Sequence, residues 1–140
     1  MKADVERFGG TVEKFIGDAV MAVWGTPIAQ EDDAERAVRA ALDLVSAVRQ
    51  LGADRDMPAL ALRAGVHTGE AVVTIGASGM GMVAGDLVNT ASRIQSAAKP
   101  GQVLVGAEDV LTPVAQSVEM TSLIPSARFT HGFLLLARNP

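Results

Sequence analysis

Two strand-like runs, Thr11 to Ile16 and Ala19 to Trp24, meet at Gly17-Asp18. Glycine as the first of two central residues suits a tight primed turn, so the stretch predicts a β-hairpin with Asp18 at its tip. The first run alternates. The second is apolar throughout, as in a strand covered on both faces.

Around this hairpin the periodicities predict an ordered series of elements. Met1 to Phe8 reads as the end of a helix with Val5 and Phe8 on one side and Gly9-Gly10 as its stop. Between Glu31 and Leu51 the residues Ala34, Ala37, Val38, Ala41, Val45, Val48 and Leu51 recur at helical spacing, with Glu31, Asp32 and Asp33 at the positive end and Arg49 near the negative one. Leu60 to His67 and Ala71 to Ile75 suggest a second hairpin turning at Thr68-Gly69-Glu70. An irregular stretch, residues 76–85, leads to a helix from Asp86, its expected N-cap, to about Ala98. A short strand follows at Gln102 to Val105. Ala107 to Ala115 suggests a helix interrupted by Pro113, and Phe129 to Leu136 is an apolar run with no evident setting. Paired strands alternating with helices predict an α+β sandwich, a mainly antiparallel sheet with helices on one face.

The 140 residues suit one domain. A formal charge of -4 supplies no basic face for phosphate-driven association, which argues against a nucleic-acid partner. There is no cysteine, hence neither a disulfide framework nor a thiolate metal site. No apolar run approaches the roughly 18 residues that span a bilayer, and no secretory leader is evident, so a cytoplasmic location is the default expectation.

Several side chains stand out as chemistry-bearing. Asp18 beside a glycine either fills a turn or offers a hard oxygen ligand to Mg²⁺ or Mn²⁺. Lys14 falls between Val12 and Ile16 in the alternation; it either snorkels to the sheet edge or donates to a base. Asn89 and Arg93 are neighbours on a helix surface, nearly opposite the stripe of Leu87, Ala91, Ile94 and Ala98. They form a solvated face, or an amide and a guanidinium for a ribose and a phosphate. Gly79, Gly81 and Gly85 match a phosphate loop only loosely.

Three blocks, GGTVEKFIGDAVMAVWG, LRAGVHTGEAVV and MVAGDLVNTASRIQSAAKPGQVLV, together resemble the catalytic domain of class III adenylate and guanylate cyclases in order and separation. The resemblance implies a ferredoxin-like nucleotidyl cyclase sandwich whose first strand, bearing the family's first metal aspartate, is missing ahead of residue 1. Residues 1–106 then form an incomplete cyclase domain and residues 107–140 a divergent C-terminal tail. The implied reaction is conversion of ATP to 3′,5′-cyclic AMP and pyrophosphate, as an adenylate cyclase in intracellular signalling, with two Mg²⁺ or Mn²⁺ ions per site. By motif, Asp18 corresponds to a metal ligand, Lys14 to the purine-contacting lysine, Asn89 to the ribose-orienting asparagine and Arg93 to the transition-state arginine. Met82 stands seven residues before Asn89, where the family usually carries Asp or Thr to read the purine. Family sites form between two subunits, which implies a head-to-tail homodimer. The alternative is an inactive cyclase-like remnant or regulatory dimerisation partner.

Overall fold

A computed structural model describes residues 1–26, 28–69, 72–73, 83–84, 86–106 and 132–139. The expected helix 107–115, residue Met82 and the glycines at 79, 81 and 85 lie outside the described residues.

Helix α1 (Lys2–Arg7) ends where the double glycine allows it to. The Gly9 N–H donates to Glu6 O and the Gly10 N–H to Val5 O, with Gly9 in the left-handed region at φ +78°. Strands β1 (Thr11–Ile16) and β2 (Ala19–Trp24) then form the expected antiparallel hairpin. At the junction Trp24 packs against Gly10 so closely that an added Cβ would stand 2.5 Å from its ring, and the indole N–H donates to Phe8 O at 2.8 Å.

Helix α2 (Asp33–Asp54) runs past Leu51, the last residue of the apolar spacing, and through Gly52. The residue is buried, and a Cβ there would meet the Met57 carbonyl oxygen at 2.9 Å, so glycine admits the returning loop while the helix continues. At its other end Asp33 is buried: its carboxylate accepts from the Gln30 backbone N–H at 2.7 Å and pairs with Arg36 at 2.6 Å.

Strand β3 (Ala61–Thr68) follows, but not as half of a hairpin. Strand β4 (Val72–Val73) pairs instead with β5 (Val83–Ala84) in a separate two-stranded sheet. Helix α3 (Asp86–Ala97) starts at Asp86 itself, and β6 (Val103–Val105) pairs parallel to β3. Strand β7 (Gly132–Asn139) lies in the middle of the main sheet, whose order is β1-β2-β7-β3-β6. The apolar run that the sequence left without a setting thus joins β2 to β3, antiparallel to both.

The helices occupy both faces rather than one. Val20, Ala22 and Trp24 of β2 and Leu62, Ala64 and Val66 of β3 pack with α1 and α2, whereas Met21 and Val23 pack with Leu87 and Ala91 of α3. An all-apolar β2 requires this: each face of a strand covers alternate residues, so burying consecutive ones needs a layer on either side. Gly65 lets α3 press onto β3, since a Cβ there would lie 2.5 Å from the Gln95 backbone nitrogen.

Candidate active site

The hairpin turn carries Gly17 at φ +60°, a conformation glycine adopts freely, and Asp18 follows it, exposed. Nothing stands within 4 Å of where a Gly17 Cβ would be, so the backbone at the tip is open to a ligand.

Lys14 keeps the face of Ile16, as its spacing suggests, but not that of Val12. The pairing slips between Val12 and Lys14, so Val12 opposes Ala22 while Lys14 opposes Met21. Directly opposed residues of an antiparallel pair share a face, and the extra residue, Glu13, therefore separates Val12 from Lys14. Half-buried Lys14 emerges on the α3 side of the sheet together with Ile16, whose partner is Ala19. Beside the tip, Phe15 and Ile16 are 64% and 50% exposed, unusual for large apolar side chains.

On α3 the stripe holds: Leu87 and Ala91 are buried, and Ala98 just beyond the helix is too. Gln95 completes it at 5% exposure, while Ile94 is half-buried. The spacing 87, 91, 95, 98 marks Gln95 as inward, but its polarity concealed this. Asn89 and Arg93 are exposed one turn apart on the opposite face. Lys14 and Asp18 thus share the hairpin and Asn89 and Arg93 share α3. Among the described residues no hydrogen bond or ion pair links the two pairs.

A cleft of about 500 Å³ between α2 and the entry to β3, lined by Leu42, Val45, Arg49 and Leu60, includes none of these residues.

The profile of the adenylate and guanylate cyclase catalytic domain matches residues 5–123. The chain belongs to this family. It is 35% identical over 127 residues to Adenylate cyclase 1 of Rhizobium meliloti, covering 86% of this chain and 19% of that protein. Among solved structures, the adenylyl cyclase CyaB from P. aeruginosa superposes with a TM-score of 0.71 at 27% identity, over 99% of this chain and 76% of that one. A dimeric guanylyl cyclase domain of the RhoGC fusion protein from the aquatic fungus Blastocladiella emersonii gives a TM-score of 0.56 at 29% identity, over 72% and 57%. The chain spans about a fifth of the length of the curated relatives it matches. Cyclases named for both purines therefore stand among its relatives, and the fold is that of a cyclase catalytic domain. Among the described residues no helix is long and apolar enough to cross a membrane.

Proposed function

We propose that this cyclase domain is cytoplasmic and acts as an adenylate cyclase, the ATP 3′-hydroxyl attacking the α-phosphate to release pyrophosphate. The observation that carries the reading is the exposed Asn89/Arg93 pair, held opposite a buried stripe on α3 in a chain of this family. Its orientation suits a cleft shared by two copies arranged head to tail, one giving Asp18 and the other Lys14, Asn89 and Arg93. In that cleft the Lys14 ammonium donates to an acceptor on the purine edge, and the Asn89 amide holds the ribose. The Arg93 guanidinium lies against charge that grows on the phosphate oxygens, where a preorganised cation acts most strongly. Met82, a thioether that cannot donate, leaves the choice between purines chiefly to Lys14.

A pair of divalent ions does not fit the residues described. Asp18 suits contact with one hard cation, but no three His, Cys, Asp or Glu side chains among the described residues gather to hold a metal. Residues 132–139, the strand beside the hairpin, include no acid. This favours a second reading, a domain that binds nucleotide as a dimerisation partner without turnover.

The test is the purified chain with Mn²⁺ and ATP or GTP, scored for cyclic product beside Arg93→Ala. Loss of a donor acting mainly in the transition state lowers turnover by about 100-fold or more while nucleotide affinity changes far less. Thermal protection by Mn²⁺-nucleotide with no product supports the second reading. Preference for GTP overturns the adenylate assignment.

A further inference from the structure

Helix α2 carries three arginines, and its own sequence supplies acidic partners for two of them. Arg36 pairs with Asp32 and Asp33, and Arg39 pairs with Glu35, each within about one turn. Arg49 has Val45 and Ser46 one turn before it and Gly52 and Ala53 one turn after it, so no carboxylate stands at helical spacing from it. Among the described residues its exposed guanidinium has no hydrogen-bond or ion-pair partner. It borders the cleft of about 500 Å³ between α2 and the entry to β3.

The rest of that cleft is apolar and already shaped. The buried Val45 and Leu62 and the half-buried Leu42 and Leu60 line it. Backbone bonds hold the chain around it: the Met57 N–H donates to Gly52 O at 2.8 Å, the Leu60 N–H to Met57 O at 2.9 Å and the Gly101 N–H to Leu62 O at 2.8 Å. Pro58 and Pro100 fix φ at two further positions. The volume falls within the roughly 300–1,000 Å³ of small-molecule pockets. No acid and no aromatic ring is among the described residues that line it. One cation without a second matches a single negative charge, and walls of aliphatic side chains with no ring to stack on match a hydrocarbon chain.

We propose that this cleft binds a small aliphatic monocarboxylate, its two oxygens taken by the Arg49 guanidinium and its chain laid against Leu42, Val45 and Leu60. A guanidinium presents parallel donors at the spacing of a carboxylate's oxygens, and the pair is stronger than a neutral hydrogen bond. The hydrocarbon leaves water for apolar walls that need little rearrangement to receive it. Lys14, Asp18, Asn89 and Arg93 do not line the cleft, so the inference stands apart from the proposed activity.

The test is isothermal titration of the full chain with octanoate and with octan-1-ol, which has the same chain length and no charge. Octanoate is expected to bind saturably at one site per chain, and octan-1-ol at least about tenfold more weakly, the worth of a hydrogen-bonded charge. Arg49→Gln is expected to weaken octanoate by about the same tenfold while leaving octan-1-ol unchanged. Ser46→Trp, at an exposed helical position on the cleft wall, is expected to fill the space and abolish binding of both, with the thermal midpoint unmoved. No saturable uptake of octanoate by the wild type in the millimolar range overturns the site. Equal affinity for octanoate and octan-1-ol, or equal octanoate affinity of wild type and Arg49→Gln, overturns the carboxylate. Undiminished binding by Ser46→Trp puts the ligand outside the cleft and overturns the proposal as well.

Discussion

The two faces of the main sheet are covered very differently. On one, the 22-residue α2 buries Ala37, Val38, Ala40, Ala41, Leu44, Val45 and Val48 in one cluster with β2 and β3, with Val5 of α1 added at the margin. On the other, the 12-residue α3 buries Leu87, Ala91 and Gln95, and its remaining surface carries Asn89 and Arg93. The first face holds the fold through area. The second brings a helix backbone close to a strand at Gly65, using little apolar surface, and leaves polar groups outside. A helix with so narrow a buried stripe leaves the opposite face, with Asn89 and Arg93, free for recognition.

The largest expected effect sharpens this contrast on the α2 side. Leu44→Ala, at a position 1% exposed, should cost about 2–5 kcal/mol in denaturant unfolding. A cost near zero would mean that α2 is not the principal holder of the core. On the α3 side Gly65→Ala is expected to cost about 1–3 kcal/mol, since the added methyl meets backbone atoms of Gln95 and Ala91 that cannot swing away. If this variant unfolds at the wild-type midpoint, the close approach of α3 to β3 is absent in solution.

A smaller effect, of opposite sign, is expected at Gln95. Among the described residues its buried side-chain amide nitrogen has no hydrogen-bond partner. Gln95→Met keeps the length, removes the orphan donor and should leave stability unchanged or raise it by up to about 1 kcal/mol. A loss would reveal a partner that holds the amide. The smallest effects belong to the outer face: Asn89→Ala and Arg93→Ala should each alter unfolding free energy by no more than about 0.5 kcal/mol, as at exposed sites generally. A larger loss at either would break the separation between a structural face and a recognition face.

The elements with strong local signals were legible in the sequence. The α2 stripe, the Gly17-Asp18 hairpin and the outward position of Asn89 and Arg93 all rest on periodicity or turn chemistry, which act over a few residues. Non-local choices were not legible. The placement of 132–139 depends on which two strands stay unpaired, and no spacing within an unalternating apolar run records that. Val72–Val73 pairs with Val83–Ala84 rather than with β3, again a matter of partners. The alternation that groups Val12 with Lys14 and Ile16 assumes a regular strand, and one extra residue at Glu13 separates Val12 from the other two. The apolar β2 already implied two covering layers, so the expectation of helices on one face was at odds with the chain's own pattern.

The packing of Trp24 over Gly10 also provides an optical handle. It is the chain's single tryptophan, there is no tyrosine, and its indole is 1% exposed with its N–H bonded to the Phe8 carbonyl. Ultraviolet emission from the folded molecule therefore comes from one chromophore at the seam where α1 passes into the hairpin. Any event that loosens that seam, whether ligand arrival at the tip or a pull on α1, would announce itself as a red shift that needs no label.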